Sequence, residues 1–410
     1  MSVFVHRMLG DMIVEAKPGF ACGEEDPDGI FQMRMNNITR SGGLDLSKKR
    51  YVPSGHKSAA NTLLCSGDVL FNATNSPDLV GKTLLFPGLD EPTVFSNHFL
   101  RLRTDGEQLA PAYLAHWLQE QFQRGVFKSK CRQWVNQATV GRESLLSISL
   151  PVPSLAVQYD IVSVLDHVEA LRAKRRQGIS LLDDLARSTF LDMFGTPDQA
   201  WAHVTVKDVA KDIKGSIRTG PFGSQLLHEE FVDSGIPVLG IDNAVTNEFA
   251  WQARRFITEE KYQKLERYRV HPGDVLITIM GTCGRCAVVP DDIPIAINTK
   301  HLCCITLDRS KCLPEFLHSY FLVHPISREY LRRTAKGAIM AGLNMGLIKD
   351  LPIVLPPISA QQAFVDRANS ARKVKASHMA HLVELDALFR SLQHRAFRGE
   401  QWRDAASLAC

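Results

Sequence analysis

Apolar residues recur at three- and four-residue steps in two stretches of this chain, and the stretches are copies of one another. In the first, Ile161, Val164, Val168, Leu171, Ile179, Leu182, Leu185 and Met193 make the stripe; in the second, Phe364, Ala371, Val374, Leu382, Leu385, Leu388 and Leu392 make it. That period predicts two amphipathic helices. The first opens on Ile148-Ser-Leu-Pro-Val-Pro-Ser-Leu-Ala-Val-Gln158 and the second on Leu351-Pro-Ile-Val-Leu-Pro-Pro-Ile-Ser-Ala-Gln361. Pro153 and Pro356, Gln158 and Gln361, Leu182 and Leu385, Arg187 and Arg390, and Phe194 and Phe397 all stand 203 positions apart. A constant offset over so long a stretch is an internal duplication. The prolines hold each approach extended, and Ser154 and Ser359 are the expected N-caps. A helix of about 40 residues is about 60 Å long. With one apolar stripe each, the natural partner of each helix is the other, and a two-fold relation between the halves makes the pair antiparallel. Arg175, Gly178, His378 and His381 interrupt the stripes, and the histidines read as partly solvated seam positions.

Between the helices the pattern changes to short β-type runs punctuated by Gly, Asn, Asp and Pro. Residues 1–149 carry Gly67-Asp-Val-Leu-Phe71, Thr83-Leu-Leu-Phe86 and His98-Phe-Leu-Arg-Leu102, then a helix from Pro111 to Glu120. Residues 196–352 repeat the order with Gly273-Asp-Val-Leu-Ile-Thr278, His301–Leu307 and a helix from Pro314 to Phe321. The offset is 206 at Gly67/Gly273 and 203 at Pro111/Pro314, so the loops between absorb three residues. The expected architecture is α+β: two mostly β globular domains (1–149 and 196–352), separated by two long antiparallel coiled-coil helices (150–195 and 353–400) with pseudo-two-fold symmetry, and a tail at 401–410.

Composition narrows the function classes. The chain has 410 residues, a formal net charge of +4 and 9 cysteines. Weak basicity permits a nucleic-acid partner without requiring one. No apolar run has the length of a membrane span or the form of a signal peptide, which with the odd cysteine count suggests the cytoplasm. Cys283, Cys286, Cys303 and Cys304 read as buried strand residues rather than a metal site, since the second pair is adjacent and lies in an apolar run. Val80-Gly-Lys-Thr83 lacks the earlier glycine of a phosphate-binding loop and is followed by a strand pattern. Asp291, Asp292 and Lys300 give only a scattered nuclease-like set. No methyltransferase signature or cofactor loop occurs, so neither catalytic residues nor a cofactor is expected.

The ordered, doubled set resembles the specificity subunit of type I restriction–modification systems over nearly the whole chain. The carrying features are the two Pro-rich phrases ending in Gln158 and Gln361 and the Gly-Asp-Val-Leu run in each domain. Asn72-Ala-Thr-Asn-Ser-Pro-Asp-Leu-Val-Gly-Lys82 and Thr219-Gly-Pro-Phe-Gly-Ser-Gln-Leu226 complete the set. One departure is that Val157 and Ala360 stand where such proteins commonly have Glu, which removes a capping-box carboxylate from each helix start. The resemblance implies a non-catalytic subunit whose two target-recognition domains read the halves of a bipartite, asymmetric sequence in double-stranded DNA. It implies two copies of an adenine methyltransferase (modification) subunit docked on the helices, with a motor-nuclease (restriction) subunit joining them. A helix of about 60 Å caps the half-site separation at about 18 base pairs. A tandem protein-interaction scaffold of another phage-defence complex is the alternative.

Loop residues able to touch phosphates or base edges are the DNA-contact candidates under that resemblance. In the first domain they are Arg40, Lys48, Lys49, Arg50, Asn72, Asn75, Lys82, Arg132, Gln137 and Arg142. In the second they are Arg218, Gly220, Ser224, Gln225, Arg285, Lys300, Lys336 and Asn344. Gly220–Gly223 reads either as a phosphate-cradling loop or as an ordinary turn between strands.

Overall fold

The computed structural model describes residues 4–133, 137–251, 255–334 and 343–399. They form two compact units, one built from residues up to Arg176 and from Ala380 onward, the other from Gln177–Met379. Each long helix therefore contributes to both units.

In the first unit a four-stranded antiparallel sheet runs in the order Glu15–Pro18, Phe99–Arg103, Val69–Asn72, Thr83–Leu85. A three-stranded mixed sheet joins Tyr51–Val52, Ile30–Met33 and Thr93–Phe95, the last pair parallel. Val5–Met8 pairs with Ser149–Val152. The helix Pro111–Gln123 lies against the Val69 and Thr83 strands, with Pro111 at its first turn, where its missing N–H costs nothing. Phe71, Leu102, Tyr113, Leu114 and Leu118 form the core together with Ile161, Leu165, Leu392 and Phe397 of the long helices.

The second unit repeats this arrangement. Its four-stranded sheet runs Ile217–Thr219, Leu302–Ile305, Val275–Thr278, Cys286–Val288, and Ala202–Thr205 pairs with Pro352–Leu355. Its mixed sheet joins Phe256–Ile257, Ile236–Leu239 and Ile297–Asn298, again with one parallel pair. Phe190, Phe194, Phe316, Tyr320 and Phe364 make an aromatic core under the helix Pro314–Val323. Cys286, Cys303 and Cys304 are fully buried strand residues, and burial pushes the Cys303 thiol up to about 12. Among the described residues no group of three or more His, Cys, Asp or Glu is placed to hold a metal.

The long helices span Leu155–Phe194 and Ile358–Arg398. The Pro-rich phrases contain strands of the globular parts, Ser149–Val152 and Pro352–Leu355, and the long helices follow them. Two sequence expectations change here. Ser154 does precede its helix, but Ser359 is already inside the second one, which starts behind Pro357. The stripes are also only partly covered. Ile161 and Leu165 are fully buried beneath the first globular core, whereas Leu171, Leu185, Val374 and Leu388 are 37–51% exposed. Beyond the globular cores each helix packs mainly against the other among the described residues, which shields one side of a stripe wider than the seam. Among the described residues no helix is long and apolar enough to cross a membrane.

Candidate nucleic-acid interface

The frame of each unit is held by buried polar side chains at duplicated positions. Asp68 and Asp274 are 3% and 1% exposed. Each accepts a hydrogen bond from the main-chain N–H three residues before it, Cys65 at 2.9 Å and His271 at 2.9 Å. Each also pairs with an arginine of the same sheet, Asp68 with Arg103 of the adjacent strand and Asp274 at 2.7 Å with Arg218 two strands away. Burial would raise the Asp274 carboxyl, but the hydrogen bonding of His271 and the charge of Arg218 hold it below the usual carboxylate range. Gly67 and Gly273, just before these aspartates, have φ of 91° and 75°, which favours glycine over any L side chain.

A second duplicated device is the glutamine that ends each Pro-rich phrase. Gln158 Oε1 accepts from the Ala110 N–H at 2.8 Å, while Nε2 donates to the carbonyls of Gln108 and Pro153 at 2.8 and 2.9 Å. Gln361 does the same to the Leu313 N–H at 2.9 Å and to the Lys311 and Pro356 carbonyls at 3.0 and 2.9 Å. Both glutamines are fully buried, and each clamps the start of a long helix to the start of the globular helix beside it. A third device crosses the helices. Arg172 donates to Asp386 at 2.7 Å and lies 4.5 Å above the Phe389 ring. Lys375 and Asp183, 203 positions away from Arg172 and Asp386 in opposite senses, pair at 2.7 Å. Each pair joins an early position of one helix to a late position of the other, so the helices run antiparallel within each unit.

On this frame the sequence candidates separate into framework and surface. Asn72 is fully buried, donates to the Thr74 and His98 carbonyls at 3.2 Å, and accepts from Asn75 at 2.6 Å. Lys82 is 5% exposed and gives its ammonium to the carbonyls of Met35 and Ile38; burial lowers its pKa. Arg218 is spent on Asp274, Thr306 and two carbonyls. Arg50 is held by Glu25 and by the Cys22 and Glu24 carbonyls, and Lys49 is paired with Glu91. Asn344 caps the helix Met345–Lys349 by accepting from the Leu347 N–H at 3.0 Å. Gly220 is a close-approach glycine rather than a phosphate cradle. A Cβ there would lie 2.0 Å from the Asn298 carbonyl oxygen, and its N–H already donates to the Thr299 carbonyl. Lys49 and Asn344 remain exposed, while Asn72, Lys82, Arg218 and the Gly220 turn are committed to the fold. Asn75, at 8% exposure, goes with them.

The remaining candidates gather mostly at one end of each sheet. In the first unit, the hairpin of Arg132–Gln133 and Ala138–Thr139 joins Thr74–Asn75, just past the Val69–Asn72 strand, and exposes Arg132 and Gln137. Arg40, Lys48 and Arg142 are exposed outside that hairpin. In the second unit the loops after Thr219 and Thr278 and before Leu302 meet at the corresponding end. They carry Ser224, Gln225, Arg285 and Lys300, with Gln225 Oε1 accepting from the Tyr268 hydroxyl at 2.8 Å. Lys336 lies outside the described residues. Phe222 and Met280, 49% and 43% exposed in those loops, were missed by the sequence reading. Their signal is an apolar residue set against glycine, in Gly220-Pro-Phe-Gly223 and Met280-Gly281. Asp291 is 3.9 Å from Arg309 at the other end of the sheet, so it makes no common site with Lys300.

Residues 199–370 match the family described as Type I restriction modification DNA specificity domain. The chain is 23% identical over 378 residues to the MjaX type I restriction enzyme specificity subunit assigned in Methanocaldococcus jannaschii, covering 88% of this chain and 85% of that protein. It is 27% identical over 179 residues to the EcoBI specificity subunit of Escherichia coli, covering 42% of this chain and 37% of that one. The fold is shared with the S subunit of a type I restriction–modification system from M. genitalium, with a TM-score of 0.59 at 13% identity, covering 97% of this chain and 96% of the other. Residues 199–370 thus carry a domain of the type I restriction modification DNA specificity family, on a duplicated frame that is similar along most of its length to a protein described as a type I restriction enzyme specificity subunit.

Proposed function

We propose that the chain reads a bipartite, asymmetric DNA sequence, one half-site per globular domain, and presents it to two methyltransferase subunits docked on the long helices. A restriction subunit completes the assembly, which works in the cytoplasm. The observation that carries this reading is the contrast between frame and loops. Gln158 and Gln361 make the same three hydrogen bonds at the same offsets, and Asp68 and Asp274 make the same turn. The sheet-end loops, by contrast, carry Arg132 and Gln137 in one domain and Phe222, Met280, Arg285 and Lys300 in the other. Identical frames with different readers suit a split target whose halves differ.

Support for docking comes from the helices. Leu171 and Val374, like Leu185 and Leu388, are duplicated positions that stay exposed. Each unit therefore offers one such pair, Leu171 with Leu388 and Leu185 with Val374. A partner present in two copies has equivalent apolar patches to cover. None of the DNA contacts calls for catalysis by this chain, which fits a non-catalytic role. The test is co-expression with the modification subunit and single-molecule mapping of methyladenine. A split, asymmetric motif is expected; methylation without sequence preference, or none, would overturn the reading.

A further inference from the structure

A strongly basic recess lies in the second unit at the sheet end opposite the reading loops. Lys211, Lys214, Arg267, Arg269 and Arg309 line it, with Glu266 and Asp308 as the acids among its walls. The recess sits where Ile217 begins, Ile305 ends and Val275 begins; those strands pair in that register. Four-residue strands place it about 13 Å from the loops at the other end. Among the described residues no carboxylate is within ion-pair distance of Lys211, Lys214, Arg267 or Arg269. Arg309 crosses the turn at Gly273, donates to the Pro272 carbonyl at 3.1 Å and stands 3.9 Å from Asp291 at the rim. Asp308 is already occupied, accepting from the Ser310 N–H and hydroxyl at 3.1 and 2.6 Å. Asp212, between the two lysines in sequence, is exposed and is not among the residues that line the recess.

The first unit has no counterpart. At the Gly67/Gly273 offset, Arg267 and Arg269 correspond to Asn61 and Leu63; at the Pro111/Pro314 offset, Arg309 corresponds to Gly106. Lys211 and Lys214 lie in residues 210–216, between the short helix Val206–Val209 and the strand Ile217–Thr219. The matching connection in the first unit, between Leu9–Met12 and Glu15–Pro18, is only Ile13 and Val14. The cations thus belong to one domain of an otherwise duplicated frame, so the frame does not require them.

We infer that this recess is a sequence-independent anchor for the phosphate backbone of the DNA duplex, and that it holds the DNA beside the half-site read by the second domain. Lysines and arginines open to solvent and without carboxylate partners carry the charge such an anchor uses. A separation of about 13 Å is well under the rise of one duplex turn, about 34 Å, so a single duplex can reach both the loops and the recess. The inference rests on the DNA-reading function proposed above.

The test uses the full chain assembled with its modification subunit. Binding to a duplex carrying the mapped target, and to a scrambled duplex of equal length, is measured over a range of salt. The quadruple variant Lys211→Ala, Lys214→Ala, Arg267→Ala, Arg269→Ala should flatten the slope of log affinity against log salt by about 0.9 for each phosphate no longer neutralised, up to about 3.6 in all. The change should be equal on both duplexes, and the methylated motif should stay the same. Lys211→Arg with Lys214→Arg should keep the original slope, which separates charge removal from misfolding. An unchanged slope in the quadruple variant, with motif-specific methylation intact, overturns the anchor alone. A changed motif would also overturn it, because the recess would then be reading bases. Absence of target binding in the unsubstituted complex would overturn the DNA-reading function as well.

Discussion

Replacing Gln361 tests the duplicated clamp at its most exacting point. The side chain is fully buried, and three main-chain groups depend on it: the Leu313 N–H, the Lys311 carbonyl and the Pro356 carbonyl. In Gln361→Leu the volume is nearly kept and all three groups lose their partner. A buried main-chain group left unsatisfied costs about 1–3 kcal/mol. The Lys311 carbonyl borders solvent, so the other two set the scale, and the gain from leucine offsets part of it; the net loss is about 3 kcal/mol. For a unit of this size that lowers the melting temperature by about 6–12 °C. Gln361→Glu separates hydrogen bonding from packing. A carboxylate can still accept from Leu313, but it would face two carbonyl oxygens at about 3 Å, so the folded state keeps the acid protonated. Its folded pKa then lies above the unfolded value of about 4.3, and the folded state binds the extra proton between those values. Stability accordingly falls as pH rises through that window. Differential scanning calorimetry at pH 5 and pH 8 should show Gln361→Glu less stable at pH 8, with the Gln361→Leu deficit independent of pH. Deficits below 2 °C, or an equal Gln361→Glu deficit at both pH values, would refute the clamp.

Three further outcomes follow from the same physical terms. His324 is buried with Nε2–H donating to the Phe194 carbonyl at 3.0 Å and Nδ1 accepting from the Ile326 N–H at 3.2 Å. Burial lowers its pKa, and that of His318, despite their carbonyl partners. The unfolded state therefore binds more protons below about pH 6.5, and stability should drop there by up to about 1.4 kcal/mol per pH unit for each histidine. Thermal melts from pH 8 to 5 should show this, and His324→Gln should flatten the slope; an unaltered slope would contradict the tautomer assigned. Arg218→Ala leaves Asp274 buried without its cation and should cost about 3–5 kcal/mol in urea unfolding, whereas a loss below 1 kcal/mol would return Arg218 to the surface set. Gln393 is 1% exposed, and among the described residues neither amide atom has a hydrogen-bond partner, so Gln393→Leu should raise the melting temperature by about 2–4 °C. A decrease would mean that the amide is satisfied in solution.

The sequence disclosed the frame better than the surface. Helix existence was legible because some forty residues kept one period, and the duplication was legible because Pro153, Gln158 and Phe194 recur at one offset. The role of Gln158 and Gln361 was not, since their partners lie about fifty positions away and only packing brings them together. The stripes overstated the seam for a related reason. Leu171 and Val374 have the right period, but period alone does not reveal where a globular core stops covering a helix. Basic and amide residues on or beside the strands misled. Asn72, Lys82 and Arg218 look like DNA contacts by type, yet each satisfies main-chain or carboxylate groups that the strands leave exposed inside the fold. Phe222 and Met280 escaped because a search for hydrogen-bonding side chains passes over apolar ones.

The central claim is that each globular domain reads its own half of the target. Methyladenine mapping of two variants of the assembled complex tests it most directly, one with Arg132→Ala and Gln137→Ala, the other with Arg285→Ala and Lys300→Ala. Each variant should relax or lose preference in one half of the methylated motif and leave the other half intact, and the affected halves should differ between the two. Relaxation of the same half in both variants, or of both halves in either, would contradict the division of reading between the domains.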